Sequence, residues 1–301
     1  MENKDTKPEA VKKPIVLITA DIGWGSMREA AEAAPEALLR AGLGEMLDAE
    51  VIRVPVSPAM NDAELDYLEK EQVIASHARQ VSNVVAGVVS DDQFPVVIGG
   101  DHTSGIGFHA GLAKAYGNVG IIYMDTHPDL NTLDTSPSGN IHGMIMAILL
   151  GKGSGVMADA IKPCVINETQ VAMVGIRDID PAELEWLNRG TINCMTMDYI
   201  NRNGLNASLL QAVETATAGT VGFGLTIDLD VFDPMYAPFV ATPVDGGLNP
   251  EELSEELIKL PHRDRMLGLE VTEYTPRGPE DDSVACELVS KIVAAATSSL
   301  V

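Results

Sequence analysis

Short apolar runs recur along the 301-residue chain, and each is followed by a stretch of helical composition. Pro14–Ala20, Val51–Val56, Phe94–Ile98, Val119–Met124, Val171–Val174, Val221–Leu229 and Met266–Val271 read as strands. Helices are expected over Met27–Ala41 (with Gly42 near the end), Asp62–Val89, Ser104–Tyr116, 142–150, from Pro181 onward, and Glu280–Leu300. Continuous apolar runs, rather than strict alternation, mark strands buried on both faces. Strand and helix in alternation then predict an α/β fold, a three-layer sandwich around a mostly parallel sheet. Residues 1–13 are polar and charged and read as a flexible lead-in, leaving 14–301 as one domain. Aromatic residues are only 4% of the chain, so the core must be aliphatic.

The parallel sheet directs attention to one place. In open sheets of this kind ligands sit beyond the carboxyl ends of the strands. The residues that follow the strands are Gly99-Gly100-Asp101-His102, Asp125-Thr126-His127-Pro128-Asp129, Asp228-Leu229-Asp230 with Asp233-Pro234, and Glu270 with Glu273. Residues two apart on extended backbone point the same way, so Asp125, His127 and Asp129 can converge, as can Asp228 and Asp230. Any one Asp here is an ordinary cap or turn residue, and Asp101 is read that way. Four such clusters at successive strand ends indicate a metal centre. Carboxylates and imidazoles without thiolate suit Mn²⁺ or a similar ion, and four carboxylates balance two divalent cations.

Charge and cysteine content narrow the partners. There are 44 acidic against 20 basic residues, a net charge of −24. That field repels nucleic acid and anionic membrane surfaces and favours a small cationic ligand. Cys164, Cys194 and Cys286 are odd in number and far apart, which argues against a disulfide framework and for a cytoplasmic location. No apolar run approaches the length of a membrane span.

Gly99-Gly100-Asp101-His102-Thr103, Asp125-Thr126-His127-Pro128-Asp129, Ser138-Gly139-Asn140-Ile141-His142-Gly143 and Asp228-Leu229-Asp230-Val231-Phe232-Asp233-Pro234 resemble the signatures of the ureohydrolases. These are the arginase and agmatinase family of binuclear manganese amidinohydrolases, and the resemblance runs from about residue 14 to 298. It implies two Mn²⁺ per chain, one held by His102, Asp125, Asp129 and Asp228, the other by His127, Asp125, Asp228 and Asp230. It implies attack of a bridging hydroxide on a guanidinium carbon, with Glu273 gripping the guanidinium, Asp129 relaying a proton and His142 shuttling it. Glu270 is a chemical rival of Glu273, but the motif favours Glu273.

Substrate choice must lie at the far end of the ligand. The resemblance implies that Asn131 and Ser138, with Ser136 through water, meet an α-carboxylate. Asp180, with Glu183 behind it, would meet the α-amine. These positions favour L-arginine over agmatine or another guanidino compound. Departures from the family pattern are Phe239 and Ala241 in place of glycines, Ile145 in place of Pro, and Thr103 in place of Ser. The glycine losses are expected to reshape the loop or cleft. The remaining histidines, His77, His109 and His262, are read as structural or surface. A homotrimer or homohexamer is expected by resemblance.

Overall fold

The computed structural model describes residues 13–26, 30–56, 65–164, 166–298 and 300. Eight strands form one sheet: β1 (Ile15–Asp21), β2 (Glu50–Pro55), β3 (Phe94–Gly99), β4 (Gly120–Met124), β5 (Val171–Ile176), β6 (Asn193–Thr196), β7 (Phe223–Asp228) and β8 (Met266–Thr272). Their order is β2-β1-β3-β8-β7-β4-β5-β6. Every pairing is parallel, so "mostly parallel" becomes wholly parallel.

Strand alternation divides the core in two. Leu17, Val96, Ile122, Val174, Leu225 and Leu269 face the helices Ala34–Arg40, Leu205–Thr217, Pro250–Lys259 and Pro279–Thr297. Val16, Ile18, Val97, Ile121, Tyr123 and Met173 face Tyr67–Ser90 and Ser104–Tyr116 on the other side. Both faces being covered explains the unbroken apolar runs of β1, β3, β4, β5 and β7. The core is aliphatic, with few large rings, as the composition requires.

Several boundaries differ from the sequence expectation. Residues 1–12 of the expected lead-in, and 27–29 and 62–64 of two expected helices, lie outside the described residues. The first helix is broken: a single 3-10 turn, Ala31–Ala33, precedes Ala34–Arg40, where Pro35 sits in the first turn. The next begins at Tyr67, because Asp66 and Glu69 form a reciprocal capping box there. Residues 142–150 form not one helix but linked short turns with Gly151 at φ 79°. β7 starts at Phe223, since Val221 is exposed. The edge strand β6 was not anticipated, because its Asn-Cys-Met-Thr sequence has no apolar run.

The five strands β3-β8-β7-β4-β5 are neighbours at the centre of the sheet. Their carboxyl ends therefore lie side by side and bring the four polar clusters, and the loop after β5, to one edge.

Candidate metal centre and active site

Two glycines let the chain turn off β3 toward this edge. A Cβ on Gly99 would meet Thr272 Oγ1 at 2.7 Å, and one on Gly100 would meet the Ala31 carbonyl at 2.8 Å. The turn delivers His102 into the interior. Asp101 accepts from the amides of Gly25 (2.6 Å), Ser26 (3.2 Å) and Thr103 (3.0 Å), and from the Thr103 hydroxyl. It is the turn residue expected, and Thr103 serves that turn.

Around His102 Nδ1 stand Asp125 Oδ2 at 3.0 Å, Asp228 Oδ2 at 3.0 Å and Asp129 Oδ2 at 3.5 Å. Around His127 Nδ1 stand Asp230 Oδ2 at 3.1 Å and Asp125 Oδ1 at 3.5 Å. The ligand-type residues predicted from the ends of β3, β4 and β7 are thus brought together. They form two groups, His102 with Asp125 and Asp129, and His127 with Asp125 and Asp230, sharing Asp125. Asp228 joins the first through Oδ2, while its Oδ1 accepts from the Asp230 amide at 2.8 Å.

The donor set fits divalent metal ions. Bonds of about 2.1 Å meeting at right angles leave neighbouring ligand atoms about 3 Å apart, which is the spacing found here. Asp125 Oδ2 makes no hydrogen bond among the described residues, although His102 Nδ1 lies 3.0 Å away. It is a buried carboxylate oxygen lacking a hydrogen-bond donor.

The electrostatics agree. Burial alone would lower both imidazole pKa values. Asp125 and Asp228 instead hold His102 well above the usual range, and Asp125 and Asp230 push His127 up to about 12. Burial, followed by the Asp125 charge, pushes Asp129 up to about 8. Burial also raises Asp228, with Asp230 and Asp125 adding to it. Burial raises Asp125 too, but the His102 and His127 partners outweigh it and hold Asp125 below the usual carboxylate range.

Above this floor is a cavity of about 220 Å³. That is below the ~300–1,000 Å³ usual for drug-sized ligands, so it suits a group of about amino-acid size. His142, Glu273, Asn131, Ser136, Ser138, Asp180, Glu183 and Thr242 line it. Glu273 Oε1 accepts from the His102 amide (2.8 Å) and pairs with His142 Nδ1 (2.9 Å). Its Oε2 is buried without a hydrogen-bond partner among the described residues. Burial alone would lower the His142 pKa, but the Glu273 carboxylate raises it to about 9. Glu270, the rival, lies under the floor with its oxygens accepting from Ser104 Oγ (2.6 Å) and Thr226 Oγ1 (2.9 Å).

At the rim, Asn131 Nδ2 donates to Asp180 Oδ2 at 2.8 Å. Ser136 and Ser138 hydroxyls accept from the amides of Gly139 (3.0 Å) and Asn140 (3.1 Å) and hold their loop. Glu183 reaches the cavity wall but spends both oxygens on backbone, accepting from the amides of Leu130 (2.9 Å) and Asp180 (2.9 Å). Phe239 and Ala241 lie on the loop that leads to Thr242 of the cavity wall. Neither has positive φ, and Phe239 is buried edge-to-face on Tyr274 at 5.4 Å. Ile145 is buried in the core. His77 bonds the Val54 carbonyl, His109 bonds Thr226, and His262 lies at the surface, as expected.

The model of the arginase family matches residues 13–297. The chain belongs to the arginase family. Arginase from Bacillus caldovelox is 32% identical to it, over 92% of this chain and 96% of that protein. Arginase from Bacillus subtilis strain 168 is 36% identical over 80% of this chain and 83% of that protein. The crystal structure of the Bacillus caldovelox arginase superposes with a TM-score of 0.84 over 93% of this chain. Membership of the arginase family makes the chain a metal-dependent hydrolase of amidino carbon–nitrogen bonds.

Sequence reasoning missed Thr242, whose hydroxyl donates to Asp230 Oδ2 at 2.9 Å, and two further contributors. Tyr123, read only as part of a strand, places its hydroxyl against Asp129. Arg177 holds the metal-ligand turn after β7, donating to the carbonyls of Asp230 (2.8 Å), Val231 (3.2 Å) and Val244 (2.8 Å). A buried polar residue in an apolar strand run is the signal that could have found Tyr123. Arg177 carries no such mark.

Proposed function

We propose that this protein hydrolyses L-arginine to L-ornithine and urea with two Mn²⁺ per chain. His102, Asp125, Asp129 and Asp228 would hold one ion, and His127, Asp125, Asp228 and Asp230 the other. Asp125 and Asp228 would be shared between the two ions, and the Asp230 amide steadies Asp228 by donating to its Oδ1. When bound, the metal ions act as Lewis acids and make hydroxide available near neutral pH.

The chain's own residues do the rest. Glu273 Oε2 accepts N–H bonds from the planar guanidinium and fixes its carbon over the floor, a pairing of complementary charge and shape. Asp129 takes the proton that the attacking hydroxide still carries as its oxygen bonds to the guanidinium carbon. It passes that proton to the δ-nitrogen as the carbon–nitrogen bond breaks, so that ornithine leaves as a neutral amine that is then protonated. His142, paired with Glu273 at the wall, exchanges protons with solvent. Asn131 and Ser138 donate to the α-carboxylate, with Ser136 acting through water. Asp180 accepts from the α-ammonium, and Glu183 braces it.

One observation carries the reading: Glu273 lines the same cavity as the acid–imidazole floor and the polar rim, and its Oε2 is buried without a hydrogen-bond partner among the described residues. Urea release after preincubation with Mn²⁺, comparing L-arginine, agmatine and 4-guanidinobutyrate, tests it. A strong preference for L-arginine is expected. Preference for agmatine would keep the chemistry and overturn the rim assignment. No urea from any of them would overturn both. The same reading includes residues 14–301 as one domain, a homotrimer or homohexamer, and a cytoplasmic location, to be checked by light scattering and cell fractionation.

A further inference from the structure

We propose that Tyr123 is a positioning residue for this reaction: its hydroxyl holds one oxygen of Asp129 and so presents the other to the cavity. The inference rests on the amidinohydrolase reading above. Tyr123 lies on β4, two residues before Asp125, and is fully buried. Its hydroxyl donates to Asp129 Oδ2 at 2.6 Å and lies 3.2 Å from His102 Nδ1. The phenol ring stacks on the His102 imidazole, with centroids 4.9 Å apart and planes 3° from parallel. One side chain therefore touches two residues of the first group and packs against one of them face to face.

The position does not ask for a hydroxyl on packing grounds. Val119 and Ile121, on the same face of the sheet, are wholly apolar and sit in the same core. A phenylalanine would fill the same space. Burying a hydroxyl costs free energy unless it is paired, and this one is paired to a carboxylate of the reaction centre.

Asp129 needs such a partner. It follows β4 on loop backbone at φ 51°, in the left-handed region, where no ladder of backbone bonds fixes the direction of its side chain. Its Oδ1 is on the side of Gly143, which lines the cavity: a Cβ added there would lie 4.0 Å from Oδ1. With Oδ2 held by Tyr123, Oδ1 is the oxygen left to take the proton. Without the hydroxyl, the carboxylate is free to turn about its Cβ–Cγ bond.

The test compares wild-type protein with Y123F. The measurements are steady-state urea release, the affinity of the metal-free protein for Mn²⁺ followed by the resonance of free Mn²⁺, and thermal melting without metal. Loss of a hydrogen bond to a charged group corresponds to about ten- to a hundredfold. The expected result is a kcat lower by about tenfold or more, KM for L-arginine within about twofold, and weaker Mn²⁺ binding. The metal-free melting temperature should stay within a few degrees. A purely structural hydroxyl would move melting and leave Mn²⁺ affinity and the kcat-against-KM split alone, which would overturn the proposal. So would a Y123F protein that matches wild type throughout, or one that fails to fold with and without Mn²⁺. A wild type inactive on every guanidino compound would overturn the amidinohydrolase reading instead, and the Mn²⁺ affinities would then decide for or against Tyr123 alone.

Discussion

Replacing Glu273 by Gln separates charge from shape at the centre of the cavity. Oε1 accepts from the His102 amide and the His142 ring, so the amide oxygen of Gln must take that place to keep both donors. The amide nitrogen then occupies the position of Oε2 and turns N–H groups toward a substrate that itself offers only N–H groups. A charge-assisted hydrogen bond contributes about 1.5–3 kcal/mol. Loss of one such bond plus the new donor clash gives about 3 kcal/mol, or roughly two orders of magnitude in kcat/KM. The assay is urea release from L-arginine at saturating Mn²⁺. A second readout is the His142 titration, followed by NMR in metal-free protein. Burial would lower its pKa, and Glu273 raises it to about 9. A raised imidazole pKa stabilises the fold fully below about pH 6.5, and that contribution is lost as pH climbs through 9. E273Q should abolish this slope. A loss in kcat/KM below tenfold, or a His142 pKa unchanged in E273Q, would refute the assignment of Glu273.

Four further outcomes are expected. N131A and D180A should each lower kcat/KM for L-arginine by about tenfold or more and leave agmatine turnover nearly unchanged. Because Asn131 donates to Asp180, the double variant should lose less than the sum, which a double-mutant cycle measures. Burial pushes Asp21 up to about 6, and its Oδ1 is buried without a partner. Stability should therefore fall as pH rises from about 4 through 6, and D21N should gain about 2 kcal/mol above pH 6 with nothing gained at pH 3.5, read by denaturant melts. Chelation should lower the melting temperature, and Mn²⁺ at a hundred times its Kd should restore about 2.7 kcal/mol. Y123F should lower Mn²⁺ affinity and kcat together, as argued above.

The centre of the fold was legible because buried parallel strands are unbroken apolar runs, and β1, β3, β4 and β5 have them. One edge, β2, was legible too, but the other was not: β6 needs no such run, since only one side of it is paired and only Met195 in it is buried. The helix Leu205–Thr217 has Leu205, Leu209, Ala212, Val213 and Ala216 at helical spacing, a pattern that was present but passed over. The metal cluster was legible because the strand ends bring its residues to one edge; the period-two alternation expected of them does not hold, since β4 ends at Met124, Asp129 sits on loop backbone at φ 51° and Asp230 lies in a 3-10 turn. The rim was legible only through family resemblance. Glu183 shows why: nothing in its spacing tells that both its oxygens are spent on the amides of Leu130 and Asp180.

Two residues at the heart of the proposed chemistry, Asp129 and Glu273, hold left-handed φ values of 51° and 66° without being glycine. Such backbone costs of order 1 kcal/mol or more each and persists only where the surroundings impose it. For Glu273 the constraint is its amide, which donates to the Gly100 carbonyl at 2.9 Å. For Asp129 it is its carbonyl, which accepts from the amides of Met146 and Ala147 at 3.1 and 3.2 Å. Each bond ties the strained residue to the loop bearing another part of the site, Glu273 to the turn that delivers His102 and Asp129 to the segment after His142. The strain therefore couples the floor to the wall. A substitution that relaxes it, Glu273→Gly or Asp129→Gly, removes a carboxylate and also loosens that tie. Loss of activity beyond that of Glu273→Ala, measured at matched metal content, would isolate the contribution of the backbone from that of the charge.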